Sequence, residues 1–96
     1  MNHPHIISAT LSGGAWSENV VLHSMECINI IIVPTDVNNT YTFKITSPND
    51  LIVFSALVTG RLYREVKIAF SGTYTLSIAG ATISGDAVNG ELGFRR

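Results

Sequence analysis

Gly72 to Phe94 reads "GTYTLSIAGATISGDAVNGELGF", and the alternation in its first eight residues decides the fold class. Tyr74, Leu76 and Ile78 point one way while Thr73, Thr75 and Ser77 point the other, which is the period of two that a half-buried β-strand requires. The same device appears upstream in "TYTFKIT". There Tyr41, Phe43 and Ile45 share one face, and Thr40, Thr42, Lys44 and Thr46 the other. Near the C-terminus Leu92 and Phe94 alternate with Glu91, Gly93 and Arg95. No segment sustains a 3.6-residue apolar period over helical length, so the spacing predicts an all-β chain.

Working outward from these strands, segments near residues 5–11, 18–24, 27–33, 40–47, 51–59, 62–70, 72–79 and 90–95 each carry strand character. Turn signals separate them: "PTDVNN" at Pro34 to Asn39, "SPND" at Ser47 to Asp50, Ser71-Gly72 and Asn89-Gly90. About eight short, mostly antiparallel strands at this spacing predict a single β-sandwich or jelly-roll-like domain over residues 1–96, with residues 1–5 an N-terminal arm. Two segments break the alternation. "INIIIV", Ile28 to Val33, and "LIVFSALV", Leu51 to Val58, are apolar on both faces. One face of each belongs to the core; the other needs a neighbouring subunit or an overlying loop.

Composition narrows the function classes. A chain of 96 residues buries only about 60–65% of the surface its unfolded form exposes, which leaves room for stabilisation by neighbours. Charged residues make up 14%, against roughly 25% in an ordinary globular protein. A formal net charge of −1 supplies no electrostatic attraction for nucleic acid or an anionic membrane, so neither is expected as a partner. The single cysteine, Cys27, lies in an apolar run and reads as a small buried hydrophobe. The N-terminus shows no basic and apolar signal-peptide pattern, so the chain is expected to stay in the cytoplasm where it is made until it joins an assembly.

Residues capable of chemistry do not converge on a reaction centre. His3 and His5 flank a proline on the expected arm, and His23 falls in the polar phase of "ENVVLHS". A metal site would need several such groups together, so no metal or cofactor is expected, and an enzyme built on His23 and a turn aspartate is the weakest reading. Asp36 and Asn38 have the spacing of half a calcium loop but lack its glycine and distal glutamate, and an Asx turn explains them better. No spacing brings two carboxylates to a common cleft as glycoside hydrolysis would need. "SGGAW", Ser12 to Trp16, lacks the lysine and following helix of a phosphate-binding loop. Arg61, Arg64 and Lys67 cluster on one hairpin without interleaved aromatics, and with the terminal Arg95 and Arg96 they read as a polar rim or as salt-bridge partners for a neighbouring subunit rather than a nucleic-acid stripe.

The order "YTFKITSPNDLIVFSALVTG" followed by "GTYTLSIAGATISGDAVNGELGF" resembles small structural proteins of tailed bacteriophages over Tyr41 to Phe94. In that pattern Gly72, Tyr74, Leu76 and Ile78 fill a G-x-Y-T-hydrophobic-x-hydrophobic strand, Ala81, Thr82 and Gly85 a bend, and Leu92 and Phe94 the last strand. The resemblance implies a non-enzymatic virion component: a capsid decoration or cement protein, or a neck or tail subunit, forming a homo-oligomer such as a trimer or ring. Leu51, Val53, Phe54, Trp16, Tyr63, Arg61 and Arg64 are the expected contact residues. The alternative is a carbohydrate-binding sandwich that stacks sugars on Trp16, Tyr63 or Tyr41.

Overall fold

The alternation around Phe43 holds in a computed structural model, which describes residues 4–95 apart from the side chains of His23 and Ser24. His3 and Arg96 lie outside the described residues, as does the side chain of His23. Six strands form: β1 (His5–Thr10), β2 (Trp16–Pro34), β3 (Thr40–Thr46), β4 (Ile52–Thr59), β5 (Leu62–Ala79) and β6 (Ala87–Arg95). They hydrogen-bond in the order β1-β6-β2-β5-β3-β4, and every ladder is antiparallel.

All eight predicted segments are strand, but two pairs are continuous, which leaves six. Segments 18–24 and 27–33 are the two halves of β2; segments 62–70 and 72–79 are the two halves of β5. The breaks inferred from sequence are bends rather than turns. The β2–β5 ladder slips between Leu22 and Met25 and resumes at Phe70, with Gly72 at φ 114° on the facing strand. An irregularity of this kind bends and twists a strand pair, which lets both strands pass from one layer of a sandwich to the other. The N-terminal half of β2 and the C-terminal half of β5 continue into β3 and β4. Their other halves continue into β6 and β1.

The inward residues of both layers make one core. Ile7, Ile30, Ile32 and Leu92 from one layer meet Tyr41, Phe43, Ile45, Leu76 and Ile78 from the other, all of them buried. Phe70 closes the bend against Tyr74 and Phe94, at centroid separations of 4.5 Å and 6.0 Å in edge-to-face geometry.

Asn89-Gly90, read as a turn, lies inside β6, where both residues pair with β1 and β2. Gly90 is needed there for close approach rather than for turning: a Cβ would run into the Ile31 carbonyl oxygen and lie 2.9 Å from Ile32 Cδ1. "SPND" does turn. The Asp50 N–H donates to Ser47 O at 3.0 Å and the Ser47 N–H to Leu51 O at 2.7 Å, with Asp50 left-handed at φ 62°. This is a type I turn closed by a left-handed bulge residue, one of the common short hairpin connections. Of the arm expected over residues 1–5, His5 is the first residue of β1, paired with Leu92, and its Nε2 lies 3.1 Å from Glu18 Oε1.

Candidate functional site: an uncharged edge strand and a hydroxyl face

β4 lies at the end of the sheet, paired with β3 on one side and with no strand on the other. Its inward residues Phe54, Ala56 and Val58 are half-buried against the core, with Phe54 packing on Phe43 at a centroid distance of 6.2 Å. Large apolar side chains stand open to solvent on its outward side: Leu51 just before the strand and Ile52, Val53 and Leu57 within it are 64%, 58%, 38% and 73% exposed, alongside the exposed Ser55 and Thr59. The register slip between Ile45 and Thr46 opposite Phe54 and Ile52 explains why the adjacent Ile52 and Val53 are both exposed. No loop covers this strand among the described residues. The outer side of "LIVFSALV" is therefore bare rather than roofed by its own chain.

The surface continues across the layer. Thr42 and Lys44 on β3 lie beside Ala79 and Ser77 on β5, and Ser77 and Thr75 in turn pair with Ser17 and Asn19 on β2. Hydroxyls on it pair with neighbours: Thr40 Oγ1 is 2.7 Å from Thr59 Oγ1, and Thr75 Oγ1 donates to Asn19 Oδ1 at 2.9 Å. Across β3 and the paired strands of this layer, Lys44 is the one charged side chain on the outer phase. Such a face can be covered without stripping water from charges, a cost of several kcal/mol per ion.

The other two-sided segment has a different fate. Ile30 and Ile32 are in the core, while Ile31 and Val33 line a groove with Ile6 above Gly90. A larger cavity of about 510 Å³ opens beside the β2–β5 bend, walled by Met25, Phe70 and Tyr74. At its rim Arg95 Nη2 donates to Glu26 Oε1 at 2.6 Å, so these two charges satisfy each other. Arg95 is thereby an internal partner rather than a free rim cation.

The remaining predicted residues separate. Tyr63 is exposed on the outer phase of β5, and Arg61 and Arg64 are exposed near it; the Arg64 guanidinium donates to the Tyr63 carbonyl at 3.3 Å. Trp16 sits on the inward phase of β2, partly buried against the core, away from β4's outer side. Tyr41 is buried and its hydroxyl donates to the Gly60 carbonyl at 2.7 Å, so it offers no ring face to a sugar. Tyr63 is the one exposed aromatic among the described residues.

Asp36 makes the expected Asx turn, accepting from the Asn38 N–H at 2.9 Å. What sequence reading missed is the polar clamp beside it. Asn39, fully buried, donates from Nδ2 to Asp86 Oδ2 at 3.1 Å and accepts at Oδ1 from the Ile83 N–H at 3.2 Å. The Asp36 N–H also donates to Asp86 Oδ2, and the Gly60 N–H to the Asn39 carbonyl. Asn39 thus joins three loops at one end of the sandwich. A Cβ on Gly60 would come 2.8 Å from Val37 O, so the β4–β5 corner is held tightly at this point.

Cys27 is buried and its thiol donates to Asn29 O at 3.3 Å. Burial pushes it from 9.0 up to about 11, and Tyr41 from 10.0 up to about 12. Both shifts favour the neutral form in the folded chain. Their stabilisation is therefore complete below about pH 9 and is lost as pH rises through those raised values. Thermal melts should show a Tm that falls from pH 9 to 11, and a Cys27→Ala variant with a shallower fall. A flat profile would contradict the burial of both groups.

No protein-family model matches the chain, and no curated protein matches its sequence significantly. Solved structures match its fold. The chain is similar to Aeromonas hydrophila PliG, a periplasmic lysozyme inhibitor of g-type lysozyme, at a TM-score of 0.58 and 11% identity over 98% of this chain and 88% of that one. It is equally similar to the Yersinia pseudotuberculosis-derived mitogen, at a TM-score of 0.58 and 9% identity over 100% and 88%. At these identities the likeness is one of fold.

Proposed function

We propose that this chain is a non-enzymatic structural subunit of a tailed-bacteriophage particle, a capsid decoration protein or a neck or tail component, that acts by packing against copies of itself and other virion proteins. The observation that carries the reading is the bare apolar edge of β4 beside a broad hydroxyl face with a single charge. Monomeric proteins protect such edges, and a surface left unprotected is one that a neighbour covers. The resemblance over Tyr41 to Phe94 supports the virion setting. The sugar-binding alternative retains Tyr63 as its platform.

The test is quantitative peptide mass spectrometry on gradient-purified particles induced from a strain that carries the gene. Copy numbers in the hundreds per particle are expected for shell decoration, and a few dozen or fewer for neck or tail. Absence from particles would overturn the virion reading and bring saccharide binding at Tyr63 forward.

A further inference from the structure

The edges of this fold are not alike. The free stretch of β5 carries Arg64, Glu65 and Lys67, charges that discourage pairing with another strand. β1 is only six residues long. By contrast Leu51 to Thr59 contains no charge, proline or glycine along its whole length, so its unpaired backbone groups form an open template for one more strand.

Charges flank this neutral strand at its two ends, and they have opposite sign. Asp50 precedes it in the β3–β4 turn and Arg61 follows it at the β4–β5 corner, both exposed. Neither makes an ion pair among the described residues. If a second β4 pairs in parallel, Asp50 meets Asp50 and Arg61 meets Arg61. Pairing antiparallel about a dyad at Ser55 sets each Asp50 opposite the other chain's Gly60, one position from its Arg61, so that opposite charges come near each other once at each end. In that register Val53 faces Leu57 across the seam on the outer side, twice, and the small Ser55 sits on the axis.

From this self-complementarity we infer that β4 pairs antiparallel with β4 of a second copy of this chain, joining two sheets edge to edge in a two-fold dimer. The contact is isologous, the commonest symmetry among soluble homo-oligomers. It buries Leu57 and Val53 against each other, satisfies the free backbone groups of both edges, and leaves the hydroxyl faces of the two copies side by side as one extended surface. The inference rests on the proposed assembly role and names the first contact in it.

Sedimentation equilibrium of the full chain tests it. Wild type should show a concentration-dependent monomer–dimer equilibrium. Asp50→Lys and Arg61→Glu should each weaken the dimer by about tenfold, since each places like charges together at both ends. The double variant should recover most of that loss, because the pairs are restored with their signs exchanged. Leu57→Lys should abolish the dimer while keeping the wild-type far-UV circular dichroism and the melt of the dilute wild-type monomer. A wild type monomeric at millimolar concentration, or a double variant no better than its parents, would overturn the β4 pair. Particle composition separates this from the broader role: a solution monomer still found in virions sinks only the pair, whereas a dimer missing from virions sinks only the virion setting.

Discussion

Replacing Asn39 by alanine is expected to lower stability by about 3–4 kcal/mol, the cost of leaving two or more buried polar groups without partners. The truncation removes the donor to Asp86 Oδ2 and Ile83 O and the acceptor for the Ile83 N–H, at a position where Asn39 itself is fully buried and Asp86 nearly so. For a domain of this size a loss of that order corresponds to a fall in Tm of about 15–20 °C. Asp86→Asn should cost clearly less, since an amide oxygen can still accept from the Asp36 and Asn39 donors. Thermal melts of the two variants side by side decide the matter. A change below about 1 kcal/mol for Asn39→Ala would mean that the loops at this end hold themselves without the clamp. Because Asn39 also anchors Gly60 through its carbonyl, the weakened variant should exchange amide hydrogens faster around the β4–β5 corner, next to the edge proposed for assembly.

A matched pair of aspartate substitutions should separate the two sides of β4. Phe54→Asp is expected to cost about 3 kcal/mol, because the half-buried ring packs on Phe43 against the core and a carboxylate there would lose that contact and be only partly solvated and unpaired. Val53→Asp, one residue away, points outward and should leave the melt of the dilute monomer within about 0.5 kcal/mol of wild type. Yet it should prevent self-association, since a two-fold axis at Ser55 would place two carboxylates in one apolar seam. Chemical denaturation gives the first quantity and sedimentation the second. If both variants unfold, β4 is an ordinary internal strand; if Val53→Asp assembles normally, its outer side is not the contact.

Local pattern was sufficient for the strand content of this protein. Tyr41, Phe43 and Ile45, then Tyr74, Leu76 and Ile78, are buried as their spacing requires, because in an extended chain the period of two is set by covalent geometry and by the demand to hide one face. The neutrality of Leu51 to Thr59 and the hydroxyl phase of the neighbouring strands were also visible, being properties of composition. How the strands are joined and which are left bare followed instead from pairing across the sheet. Whether Ser71-Gly72 is a turn or a bend within one long strand depends on the partner across the ladder, and Asn89-Gly90 joined a strand because the backbone at Ile31 approaches too closely for any side chain. That β4 is an edge with its outer side open while Trp16 and Tyr41 turn inward follows from sheet order, a relation among residues far apart in the chain. The same holds for the clamp of Asn39 on Asp86, separated by 47 positions. Alternation is written residue by residue, but pairing across such separations is settled only when the whole core closes.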